Sequence, residues 1–154
     1  KAALWEALLD DRLDVIATDH APHTWEEKQQ PYGKAPSGLP LVQHSLQLML
    51  HYVKEGKINI EKVVEKMSHA VAQCFHIKER GFIREGYFAD LVLVNPNESF
   101  TVKKENILYK CGWSPLEGFT FPATVEKTWV NGNLVFDNGK IIDNIKGQRL
   151  LFNR

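Results

Sequence analysis

The sequence predicts an α/β chain with two unlike halves. Three observations carry this. A short apolar run, Leu13 to Ala17, follows a helical stretch and ends in the polar group Thr18-Asp19-His20. Apolar positions then recur at helical spacing from Leu41 to about Phe75. After Ile77, short runs of β-branched and aromatic residues alternate with glycine and Asn-Gly punctuation. Residues 1–77 are therefore expected to form one portion, with a functional loop at 19–40, and residues 78–154 a β-rich one.

Taken in order, residues 2–10 place Leu4, Trp5, Leu8 and Leu9 on one helical stripe. The apolar run at 13–18 fits a buried parallel strand better than an alternating surface strand. From Ala21 to Pro40 the chain holds four prolines and two glycines and shows no hydrophobic period. A connection of that length inside a compact domain is usually a lid or a binding loop. Pro40 suits the first turn of a helix, with Ser37 or Gly38 near its cap. Val42, Leu46, Met49, Leu50 and Val53 then form a stripe that Gly56 stops. Asn59 is the expected cap of a second helix carrying Ile60, Val63, Val64 and Met67, and Ser68 that of a third, reaching Phe75.

In the second half the expected strands are 91–94, 100–102, 124–130, 134–136 and 141–142. Val130-Asn131-Gly132-Asn133 signals a tight hairpin, because a type I′ turn needs positive φ at both central residues.

The 154 residues carry 19 basic and 19 acidic side chains, a balance that excludes nucleic-acid binding driven by bulk charge. No apolar run reaches the roughly 18 residues of a membrane span, and the first residues do not read as a secretory signal. Cys74 and Cys111 lack metal or redox spacing and read as free thiols, which points to the cytoplasm. Neither methionine, Met49 or Met67, stands at position 1, so the chain reads as a piece of something longer. His44/His51 and His69/His76 lie seven apart, whereas helical metal ligands sit three or four apart, so these four read as ordinary histidines.

Chemistry concentrates in Thr18-Asp19-His20-Ala21-Pro22-His23, one carboxylate and two imidazoles at a strand's end. A carboxylate there can bind a divalent metal or shuttle a proton, and an imidazole can ligate zinc or donate to a substrate carboxylate. An Asp capping the next helix beside a packed histidine explains the composition equally well. One Asp and two His also fall short of the three protein ligands a catalytic zinc usually has.

The residues carry a resemblance. Ala17-Thr18-Asp19-His20-Ala21-Pro22-His23 resembles the motif on the last barrel strand of the dihydroorotases, in the cyclic amidohydrolase group. Lys34 to Gln43 resembles the substrate loop that follows it. Gly81 to Val94 resembles the family's return strand into a small β-domain, and Cys111 to Gly118 with Thr128 to Gly132 its C-terminal signature. Ser68-His69-Ala70-Val71-Ala72 departs from the family's Ser-x-Asn-Pro-Ala, and Pro122 stands where relatives often have Gly.

The resemblance implies the C-terminal remnant of a metal-dependent-hydrolase (β/α)8 barrel, its last strand plus closing helices, followed by part of a small β-sandwich. It implies zinc-dependent, reversible hydrolysis of the cyclic amide of dihydroorotate to N-carbamoyl-L-aspartate in pyrimidine biosynthesis. Asp19 would bind one Zn2+ of a binuclear pair, take a proton from the bridging water and return it to the leaving ring nitrogen. His23 would hold the substrate carboxylate, Ser37, Gly38 and Leu39 would offer backbone groups to its ring, and His20 would orient its neighbours. The family's early His-x-His pair, bridging carboxylate and later histidine ligands are not in this sequence, so the chain alone is expected to be inactive. The partners implied are the small-molecule substrate and a second copy or another pyrimidine-pathway enzyme. A non-catalytic dihydroorotase-like scaffold, a hydantoinase or allantoinase, and a plain binding module are the alternatives.

Overall fold

A computed structural model describes residues 1–153. Arg154, the last residue of the expected β-rich portion, lies outside the described residues. The chain divides into two compact units interleaved in sequence. One comprises Lys1–Ile16, Tyr52–Asn95 and the described part of Val125–Arg154; the other comprises Ala17–His51 and Pro96–Thr124.

In the first unit, α1 (Ala2–Leu9) buries Leu8 and sets Trp5 edge-on against Tyr52, ring centroids 4.8 Å apart. Asn59 caps α4 (Ile60–Val64) by accepting the Lys62 backbone N–H at 2.8 Å, as its sequence position predicts. The break expected at Ser68 does not occur. A π-helical turn, Glu65–His69, joins α4 to α5 (Ala70–Cys74), so Ser68 sits inside a continuous helical path. Packing explains this: Gly81, at φ +81, lies so close that a Cβ there would stand 2.5 Å from the Ala72 Cβ and 2.9 Å from the Ser68 carbonyl oxygen. Ser68 therefore has no orphan donor to cap, because the Ala70 N–H two residues on already bonds the Glu65 carbonyl.

The strand expected at 13–18 is also absent: residues 14–19 form no ladder. An extended segment becomes a strand only when neighbours accept its hydrogen bonds. Here the Ile16 N–H goes to the Lys66 carbonyl at 3.1 Å, and the Leu13 carbonyl accepts from the Lys66 ammonium at 2.7 Å. Lys66 is 3% exposed and pairs with Asp11 at 2.9 Å, so its charge is compensated where it is buried.

The same unit carries a four-stranded sheet in the order β1 (Leu91–Asn95), β4 (Thr124–Val130), β5 (Asn133–Asp137), β6 (Lys140–Ile141). β4 and β5 pair antiparallel through a turn with Asn131 at φ 52 and Gly132 at φ 79, the geometry that the Asn-Gly pair predicts. Asn138 and Gly139 repeat it between β5 and β6. Arg80, 8% exposed, bonds Asp90 and, at 2.5 Å, Asn131, while Asp90 accepts the Asn131 backbone N–H at 2.7 Å. This network ties the return segment to the hairpin turn. Leu91, Val92 and Leu93 of β1 remain exposed.

The second unit packs around Phe121, Val102, Ala123, Pro40 and His44, all buried. β2 (Phe100–Thr101) and β3 (Thr120–Phe121) pair antiparallel, placing Phe100 opposite Phe121. A 3-10 turn, Val42–His44, leads into α3 (Ser45–Lys54), which buries Gln47 and Met49. Gly56, at φ +70, follows this helix, as expected of a stop signal.

Candidate functional site

The candidate residues all lie in the second unit, on a loop that folds back on itself. Asp19 is exposed and held at φ 46, a left-handed conformation that aspartate tolerates better than most residues. His20 makes an isolated parallel bridge with Leu39, and the Ala21 N–H donates to the Leu39 carbonyl at 3.1 Å. Gly38, at φ +94, approaches so closely that a Cβ there would lie 2.5 Å from the Ala21 Cβ. The two motifs, 19–23 and 37–39, are therefore in direct apposition despite their separation along the chain.

His20 has a defined task. Its Nδ1 accepts the backbone N–H groups of Leu41 (3.1 Å) and Val42 (3.4 Å) at the start of the 3-10 turn. These are donors that a helix start leaves without partners. The imidazole supplies the cap expected from Ser37 or Gly38, and the turn begins later than Pro40 suggested. Its acceptor role puts the proton on Nε2.

His23 is half-buried, its Nδ1 3.7 Å from the Glu27 carboxylate. Its carbonyl accepts from the Trp113 indole at 2.8 Å, and Trp25 packs edge-on against Trp113. The Thr24 backbone N–H, and then the Thr24 side chain and the nearby His23, hold the Glu27 carboxyl below its ordinary value. Ser37 and Leu39 are exposed and Gly38 half-buried. Asp19, His23 and residues 37–39 thus share one loop system, and among the described residues no group of three or more His, Cys, Asp or Glu side chains could hold a metal ion.

Several residues that build this loop were not singled out from the sequence. A short helix, α2 (Trp25–Lys28), stands where no periodic structure was expected, started by a capping box between Thr24 and Glu27. Its signature, Thr-x-x-Glu, is legible in the sequence. The Lys28 ammonium donates to the carbonyls of Pro36 (2.6 Å) and Gly38 (3.1 Å). Gln43 clamps the segment beneath, donating to the Asn106 carbonyl and accepting from Leu108, both at 2.8 Å. Nothing local in the sequence announces these last two contacts.

The amidohydrolase family profile matches residues 1–135. The chain belongs to the amidohydrolase family. This amidohydrolase chain is 36% identical over 148 residues to a dihydroorotase of Pyrococcus abyssi, covering 96% of the chain and 35% of that relative. It is 39% identical over 140 residues to the multifunctional protein pyr1-3 of Dictyostelium discoideum, covering 91% of the chain and 6% of that protein. Its fold superposes on an L-hydantoinase (dihydropyrimidinase) from Arthrobacter aurescens with a TM-score of 0.83 and 28% identity, over 92% of this chain and 32% of that one. The amidohydrolase chain spans about a third of the length of the dihydroorotases it matches. Among its described residues no helix is long and apolar enough to cross a membrane.

Proposed function

We propose that this chain is the C-terminal part of a dihydroorotase, in which Asp19 serves the chemistry and His23, Ser37, Gly38 and Leu39 hold the substrate. The observation that carries the reading is the apposition of 19–23 with 37–39, in a chain whose curated relatives include several dihydroorotases. In this reading residues 1–77 close a (β/α)8 barrel around the loop at 19–40. Residues 78–154 contribute part of a β-sandwich, and the exposed Leu91, Val92 and Leu93 are apolar surface for another layer to cover. The setting is pyrimidine biosynthesis in the cytoplasm. The multifunctional relative supports contact with another enzyme of that route; a second copy of the chain is the other partner proposed.

The family implies a metal, taken here to be a zinc pair. The donor set among the described residues does not fit it, because Asp19 is one carboxylate and zinc needs three or four ligands acting together. Asp19 is accordingly proposed as one ligand of that site, and no step is derived through the metal. The residues of this chain have simpler tasks. The Asp19 carboxylate takes a proton from the water whose oxygen bonds to the ring carbonyl carbon, and returns it to the amide nitrogen as the C–N bond breaks and the ring opens. The His23 imidazole donates to the substrate carboxylate, with the Glu27 carboxylate 3.7 Å from its Nδ1. Gly38, without a side chain, lets the backbone of 37–39 come close to the ring.

The test is interconversion of dihydroorotate and N-carbamoyl-aspartate by the complete gene product. Asp19→Ala is expected to lower kcat by at least about 100-fold, and His23→Ala to act mainly on KM. Normal turnover by Asp19→Ala would sink the assignment. The likeness to hydantoinase structures favours a second reading, a cyclic amidase of that type. Comparing turnover of dihydroorotate, hydantoin and allantoin separates the two. The isolated chain is expected to turn over none of them.

A further inference from the structure

Lys28 lies on α2, outside the residues that would touch a substrate, and its side chain crosses to the opposite limb of the loop. There the ammonium donates to two carbonyls two residues apart, Pro36 at 2.6 Å and Gly38 at 3.1 Å. All described peptide bonds are trans, so each carbonyl points opposite to the N–H of the next residue in the same peptide plane. Holding the Pro36 carbonyl on one side turns the Ser37 N–H to the other, and holding the Gly38 carbonyl keeps the Leu39 N–H on the side of the 19–21 segment that Leu39 bridges. The same helical turn holds Glu27, 3.7 Å from the His23 imidazole, and is anchored by the Thr24 capping box. One short element therefore sets the geometry of both groups proposed to hold the substrate.

We propose that Lys28 is a positioning residue, whose ammonium fixes the peptide planes of 36–39 so that the Ser37 N–H faces the substrate while Leu39 stays paired with the 19–21 segment. This rests on the site reading above for what the Ser37 N–H faces; the clamp itself rests on geometry. A lysine suits the task because its three donors can serve two carbonyls at once. Fixing the planes before binding removes an ordering cost that the substrate would otherwise meet.

The experiment compares Lys28→Met, which keeps the stem and removes the donor, with Lys28→Arg, which keeps a donor. Amide hydrogen exchange of the complete gene product is followed in peptides covering 36–39 and, as a control, 60–74. Lys28→Met is expected to speed exchange at 36–39 by about tenfold or more with the control unchanged, and Lys28→Arg to restore part of the protection. With dihydroorotate as the probe, Lys28→Met should raise KM about tenfold and change kcat much less. Unchanged exchange at 36–39 in Lys28→Met overturns the clamp, whatever the enzyme's substrate. Faster exchange with unchanged KM in an active enzyme overturns the positioning role. If the wild type does not turn over dihydroorotate, the substrate reading falls, and exchange alone decides the clamp. Should Lys28→Met fail to fold, the partial protection and KM of Lys28→Arg decide it.

Discussion

Replacing the buried His44 is expected to relieve an acid sensitivity of the second unit. The ring is fully buried, stacked on Phe121 at 5.9 Å and flanked by Phe100 and Tyr109 at about 6 Å. The Tyr109 hydroxyl lies 3.4 Å from its Nδ1, and its Nε2 has no hydrogen-bond partner among the described residues. Burial pushes its pKa down from 6.5 to about 4. Between those values the unfolded chain holds a proton that the folded one does not, so stability falls as pH falls through this window. Above 6.5 both states are neutral and the contribution is whole; below 4 the loss is complete. At about 1.4 kcal/mol per pH unit, the loss is capped at about 3 kcal/mol. His44→Phe removes the titration while keeping an aromatic ring of similar size, at the cost of one hydrogen bond worth about 1 kcal/mol. Urea melts of wild type and variant from pH 7.5 to 4.5 read the difference, with tryptophan fluorescence, to which Trp25 and Trp113 of this unit contribute, as the signal. The gap between the two should move by about 2 to 3 kcal/mol in the variant's favour as pH falls. Parallel pH profiles would refute the argument.

Two further substitutions probe the supports of the fold. Gly38→Ala meets both a left-handed φ and a Cβ 2.5 Å from Ala21, so it should cost about 1 to 3 kcal/mol in a urea melt. Gly33→Ala, with nothing within 4 Å, should stay within about 0.5 kcal/mol of wild type, and equal effects at the two glycines would count against the apposition. Arg80→Gln leaves Asp90 without its cation and Asn131 without its donor, for an expected loss of about 2 to 4 kcal/mol. A melt indistinguishable from wild type would show that the network stabilises nothing.

Local signals were read correctly from the sequence where their partners lie within a few residues. Asn59 caps the residue three positions on, Gly56 ends a helix through its own φ, and Asn131-Gly132 turns a hairpin because both residues tolerate positive φ. The 19–23 cluster stood out by its residue types and 37–39 only by resemblance to a family, while the Thr24 and Glu27 capping box was available as a local signal. Whether 13–18 became a strand could not be read in this way. Its apolar run specifies burial and extension, but a ladder needs neighbours, and here Lys66 takes the hydrogen bonds instead. His20 is the sharpest case of a role that only tertiary structure assigned. As a sequence it is one imidazole beside a carboxylate; in the fold it caps a turn 21 residues away. Lys28 reads as a charged residue on a short polar stretch until the loop closes and brings it two carbonyls eight and ten residues further on. Sequence alone determined the tight turns, the Asn59 cap and the chemical types present, because these follow from the local preferences of a few neighbouring residues. Tertiary structure decided which groups meet, because hydrogen bonds across a closed loop depend on where the whole chain returns.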